Sequence, residues 1–166
     1  MASALERFGQ LDAAWANAGH GGATSFFGDD VDWWRSMVLT NVYGAALTIR
    51  AVGPALKERA GHLLLTGSDA GRGHVPGSLY SATKHAVHAM AESARLEFQR
   101  TGVRVTLIAP GMVATPFFDT APFDYMLARP LRSEDVAAAV LYALSQPAHV
   151  DVSEVLLRPT DPTHSE

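Results

Sequence analysis

His62 to Thr66, HLLLT, is a short and nearly continuous apolar run, opened by Gly61 and closed by Gly67. A run of this length between glycines suits a strand buried on both faces, the condition found in parallel sheets covered by helices. A parallel sheet needs crossover connections, and the neighbouring residues supply them. After Ser68 a glycine-rich loop, Gly71 to Gly77 with Pro76 inside it, leads into Ser78 to Arg100, which has few breakers and many helix formers and reads as a long helix. Val103 to Ala109, VRVTLIA, is a second strand of the buried type, closed by Pro110-Gly111.

The rest of the chain follows the same alternation. Met1 to Phe8 reads as the last turns of a helix stopped by Gly9, and Leu11 to Ala16 as a short strand ending in Asn17-Ala18-Gly19. Val31, Trp34, Val38, Val42 and Ala45 recur at helical spacing within a segment running to Arg59, which Pro54 bends or interrupts late. Asp29, Asp30 and Asp32 at its head read as capping and dipole complementation rather than as metal ligands. Met112 to Arg129 is irregular and rich in large apolar residues, including Phe117, Phe118, Phe123, Tyr125 and Met126, and reads as a lid or pocket wall, or as packing against the body. Ser133, with Glu134 and Asp135 behind it, opens a helix to about Ser145. Val155 to Arg158 is the last strand, and the tail from Pro159 is polar and loose. Strand and helix alternating in this way predict one α/β domain with a parallel sheet and right-handed crossovers.

The bulk chemistry excludes several function classes. Thirteen basic residues are scattered and outnumbered by seventeen acidic ones, so no nucleic-acid footprint is visible. With no cysteine there is neither a disulfide nor a thiolate metal site. No apolar run approaches the length of a bilayer span, and MASALERFG has no signal core, so a soluble cytoplasmic protein is expected.

The candidate chemistry sits at Ser68, Tyr80 and Lys84. Tyr80 and Lys84, four apart at a helix start, share one face, so the ammonium can act on the phenol. A nearby cation favours phenolate and lowers the tyrosine pKa from about 10, which equips it as acid or base. Ser68, ending the preceding strand, can hold the same substrate oxygen. In open parallel sheets ligands bind beyond the carboxyl ends of the strands, where Asn17 to Gly19, Gly67-Ser68 and Pro110-Gly111 all fall. A serine hydrolase is disfavoured, because Thr66 and Ala70 stand where a nucleophile elbow has glycines. His85 and His88, three apart on one helix face, read as solvent or packing histidines, and no metal site is expected.

Together these motifs resemble the carboxy-terminal two-thirds of the short-chain dehydrogenase/reductase family. Asn17-Ala18-Gly19 is similar to its Asn-Ala-Gly turn, Asn41 to its catalytic asparagine, Ser68 to its serine, and Tyr80-x-x-x-Lys84 to its catalytic pair. Pro110-Gly111, with Val113 and Thr115, matches a segment that contacts the nicotinamide side of the cofactor. The ending PAHVDVSEVLLRP further resembles reductases that use NADP and act on small hydroxy acids or related alcohols. The resemblance implies a Rossmann-type three-layer sandwich, a cofactor that is NADP or NAD with NADP preferred, and hydride transfer to or from a small carbonyl or alcohol. Tyr80 is then the proton donor, Ser68 polarises the substrate oxygen, Lys84 lowers the tyrosine pKa and binds the nicotinamide ribose, and Asn41 holds a water that relays protons. Without the resemblance Asn41 reads as a polar residue tolerated at a helix bend. The same likeness implies a homodimer or homotetramer, and the aromatic residues Phe117, Phe118 and Phe123 themselves suggest an apolar pocket beside the nicotinamide.

No Gly-x-x-x-Gly-x-Gly precedes Asn17, so the family's first strands and its phosphate-binding turn are expected to be missing from these residues, with an open edge beside Leu11 to Ala16. A truncated reading frame or an alternative start at Met1 would account for this expectation. The second reading, from a different class, is a non-catalytic interaction protein that keeps only the family's capacity to self-associate.

Overall fold

The computed structural model describes residues 2–21, 25–28, 30–118 and 129–160. Four strands, β1 (Ala13–Ala16), β2 (His62–Thr66), β3 (Arg104–Pro110) and β4 (Glu154–Leu157), form one sheet in that order, every neighbouring pair parallel. The helices are α1 (Ala2–Phe8), α2 (Val31–Val38), α3 (Ala45–Arg59), α4 (Leu79–Glu97) and α5 (Ser133–Ser145). The expected α/β order is therefore present, with shifted boundaries: β1 begins two residues later than Leu11, and β4 one residue earlier than Val155. Ser78 is not in α4 but caps it, its hydroxyl accepting from the Ser81 N–H, and the helix ends before Arg100, whose φ is 67°.

The central strands explain the apolar runs. Leu63, Leu65, Val105 and Leu107 face one side, where Val52 and Leu56 of α3 and Val87, Ala91 and Phe98 about α4 bury them. Leu64 and Ile108 face the other side, against Val140 of α5. This is the three-layer arrangement, and each strand of the pair is apolar on both faces because helices cover both. His62 is the polar exception: its Nε2 lies 2.7 Å from the Thr106 hydroxyl, which itself donates to the Val152 carbonyl. Burial, reinforced by Arg104, pushes His62 down to about 4 and keeps it neutral in the core.

Val31 to Arg59 differs from the single helix that the periodicity predicts. α2 and α3 are joined through Leu39–Gly44 by a π-helical turn, and Asn41 is its buried residue. Pro54 does not stop α3, because the carbonyl its missing N–H would have served belongs to exposed Arg50 and can reach water. Asp30 caps α2 by accepting from the Asp32 N–H at 2.9 Å, the capping reading of the acidic cluster, while Asp29 lies outside the described residues. Among the described residues no helix is long and apolar enough to cross a membrane.

Gly61 joins α3 to β2 at close quarters. A methyl there would stand 2.7 Å from the Asp12 carbonyl oxygen and 2.8 Å from Leu56 Cδ2. Gly61→Ala is expected to lower the unfolding free energy by about 1–3 kcal/mol, read from the urea midpoint. An unchanged midpoint would show that the α3–β2 joint yields without strain.

Candidate active site

The carboxyl ends of all four strands open into one cleft of about 1050 Å³. Asn17, Gly19, Ser68, Tyr80, Lys84, Pro110, Gly111, Val113 and Thr115 line it, together with Phe117. Ala18 and Asn41 do not line the cleft; Asn41 sits behind Gly19. Three loops and one helix start thus bring together residues separated by up to about a hundred positions in sequence.

Lys84 is 4% exposed, and its Nζ donates to the Thr66 carbonyl at 2.9 Å, tying α4 to the end of β2. Burial pushes its pKa down to about 8. Its ammonium lies over the Tyr80 ring, 5.6 Å from the centroid. Burial corrects the expectation of a lowered tyrosine. Burial pushes Tyr80 up to about 12, with repulsion from Asp69 adding to it and hydrogen bonding with Ser68 opposing it. Ser68 is 7% exposed, and its hydroxyl accepts from the Ala70 N–H at 3.2 Å and donates to Asp69 at 3.3 Å.

Asn41 is committed on every side. Its Nδ2 donates to the His20 carbonyl at 2.9 Å and to Thr83 Oγ1 at 3.0 Å, while Oδ1 accepts from the His20 N–H at 3.0 Å. The widened π turn carries this amide inward, a device that period-3.6 reasoning does not reveal. Oδ1 keeps one lone pair. Both it and Lys84 Nζ converge on the space beside Gly19, where a Cβ would stand 3.2 Å from Oδ1 and 3.5 Å from Nζ. Gly19 is needed for that approach.

Two participants were not singled out from the sequence. Trp15 Nε1 donates to Thr66 Oγ1 at 2.8 Å, which donates to Asn17 Oδ1 at 2.7 Å, so Thr66 holds Asn17 by its side chain and Lys84 by its carbonyl. Its place as the last residue before Gly67 was the available signal. His20 clamps Asn41 through its backbone and packs its ring on Trp33, 4.6 Å between centroids; only its position directly after Gly19 marked it. Phe117 stands 5.7 Å from the Tyr80 ring and presses on Gly21, as a pocket wall would. Phe123, Tyr125 and Met126 lie outside the described residues. His85 and His88 turn to different carbonyls, of Ser81 and Ser68, and no group of three or more potential metal ligands occurs among the described residues.

Comparison with known proteins gives consistent results. The family model described as short chain dehydrogenase matches residues 1–124. An uncharacterized oxidoreductase of Staphylococcus saprophyticus is 40% identical over 156 residues, covering 93% of this chain and 66% of that protein. The structure of an alcohol dehydrogenase from the archaeon Thermococcus sibiricus, complexed with 5-hydroxy-NADP, superposes with a TM-score of 0.88 at 30% identity, covering 99% of this chain and 70% of that one. Serine dehydrogenase from Escherichia coli superposes with a TM-score of 0.80 at 32% identity, covering 93% and 66%. The chain spans about two thirds of the length of these relatives.

Proposed function

The chain belongs to the short chain dehydrogenase family, and from that premise we propose that it transfers hydride between a nicotinamide dinucleotide, NADP in preference to NAD, and a small carbonyl or alcohol. The observation that carries the reading is the meeting of Ser68, Tyr80 and Lys84 on the wall of one cleft at the carboxyl ends of a parallel sheet. The NADP preference draws on the ligand of the archaeal neighbour.

The residues present fit the nicotinamide and ribose end of such a cofactor. Gly19 leaves a cradle beside Lys84 Nζ that a methyl would fill. Asn17 to Gly19 and Lys84 would hold the ribose side, and Pro110, Gly111, Val113 and Thr115 the nicotinamide side. When bound, the cofactor supplies or removes the hydride. Tyr80, protonated throughout the neutral range, gives its proton to the carbonyl oxygen. Ser68 donates a hydrogen bond to the same oxygen and polarises it. Lys84 restores the proton of Tyr80, and Asn41, through its remaining lone pair, holds a water that links Lys84 to solvent. Exposed Val38, Leu39, Tyr43 and Leu47 along the α2–α3 segment support self-association of the chain into a dimer or tetramer.

Titration of the folded chain with NADPH and with NADH tests the binding half of this reading. Trp15 lines the cleft, so saturable quenching of its emission, tighter with NADPH and absent in Trp15→Phe, is the expected result. A folded chain whose emission ignores both cofactors would contradict it. Phe117→Ala, which removes the aromatic wall beside Tyr80, is expected to raise KM for an apolar carbonyl about 5- to 20-fold with kcat little changed. Unchanged kinetics would remove Phe117 from the substrate pocket.

A further inference from the structure

Tyr80, Lys84 and His88 follow one another at intervals of four along α4 and so form one stripe facing the end of β2. The first two line the cleft, and the third lies beneath Ser68. His88 Nε2 is 3.0 Å from the Ser68 carbonyl oxygen. A carbonyl only accepts, so the bond fixes the tautomer with hydrogen on Nε2. The ring is also wedged between the two glycines flanking Ser68. A Cβ at Gly67 would meet Nε2 at 2.7 Å, and one at Gly71 would meet it at 2.5 Å. Among the described residues, His88 is the side chain nearest to both glycines. His88 also lines a small cavity of about 110 Å³ shared with Glu92, Arg95, Ser153 and Glu154. Glu154 is ion-paired with Arg72, and His85 is the remaining titratable group that acts on the ring. Burial keeps His88 below the ordinary imidazole range, hence neutral at pH 7.

We propose that His88 is a positioning residue for Ser68: by donating to the Ser68 carbonyl and filling the gap between Gly67 and Gly71, it sets the direction in which the Ser68 hydroxyl meets the substrate oxygen. Ser68 lies two residues beyond the end of β2 and caps the short helical turn Asp69–Gly71, where its carbonyl accepts from the Gly71 N–H at 3.0 Å as well as from His88. The imidazole adds a second donor to that carbonyl, from the helix that carries Tyr80 and Lys84. No proton or bond changes hands at His88; it acts only through Ser68. This inference rests on the reading of Ser68 as the residue that polarises the substrate.

A double-mutant cycle tests it, with the chain's own carbonyl reduction as readout. His88→Ala is expected to lower kcat about 10-fold with KM within about twofold. His88→Gln, whose amide nitrogen can reach the same carbonyl, is expected to recover most of that loss. In a Ser68→Ala background, His88→Ala is expected to cost less than about twofold more, because its route of action is already gone. Losses that multiply in the double variant, or a kcat untouched by His88→Ala, would overturn the proposal. A second arm needs no turnover. In a chain labelled with 15N-histidine and Ser68 13C-carbonyl, the Nε2–H tautomer is expected at neutral pH, with a Ser68 carbonyl resonance that moves in His88→Ala and returns toward its place in His88→Gln. The other tautomer, or an unmoved resonance, would overturn the proposal. If the wild-type chain turns over no carbonyl while this arm gives the expected shifts, the failure belongs to the reaction and not to the His88–Ser68 contact.

Discussion

Tyr80→Phe is expected to reduce kcat about 10²- to 10⁴-fold, the range associated with removing a positioned proton donor, while the protein folds and binds cofactor as before. Only the hydroxyl is deleted. The ring keeps its contact with Phe117 and its place beneath the Lys84 ammonium, so near-ultraviolet circular dichroism and the thermal midpoint should stay close to wild type. Because burial holds Tyr80 up at about 12, its own titration should leave the rate of carbonyl reduction level between neutral and mildly alkaline pH. A Phe variant with more than about a tenth of wild-type kcat would take Tyr80 out of the proton-transfer role.

Lys84→Met is expected to do two things at once: abolish most turnover and stabilise the fold. The lysine is 4% exposed and titrates at about 8 in the folded chain, against 10.5 when unperturbed. Between those values the unfolded chain holds more protons than the folded one, so stability rises with pH across the window. Below pH 8 the full penalty of burying the ammonium is present, on the order of 3 kcal/mol. Met has a similar length and no charge, so at neutral pH the variant should gain about 1–3 kcal/mol, discounted for the lost bond to the Thr66 carbonyl. Urea denaturation at about pH 7 and about pH 9.5 should show the wild type gaining stability and Lys84→Met staying flat. Above about pH 10 the raised Tyr80 acts in the opposite sense, since the unfolded chain then loses its phenolic proton first. A variant destabilised at neutral pH would mean that the ammonium is held by interactions outweighing its burial.

The fold was legible where one physical signal dominated. His62–Thr66 and Arg104–Pro110 are apolar on both faces because helices cover both, and a continuous run reports that directly. Tyr80 and Lys84 were legible because helical spacing alone puts them on one face. The direction of the Tyr80 pKa was not, because it turns on burial, with Asp69 adding to it, and spacing encodes neither. Asn41 reads as a polar residue at a bend until the π turn is seen to carry it inward against His20 and Thr83. His88 read as a packing or solvent histidine for a similar reason: its partner is a backbone carbonyl twenty positions away, and backbone acceptors leave no mark in a sequence.

The most direct test follows the oxidation of NADPH by the purified chain with a panel of small aldehydes, ketones and keto acids, alongside Tyr80→Phe. Carbonyl-dependent consumption that saturates with substrate and disappears in the variant is the expected result. A folded chain that consumes no NADPH above background with any of them, or that loses nothing on Tyr80→Phe, would contradict hydride transfer at the cleft walled by Ser68, Tyr80 and Lys84.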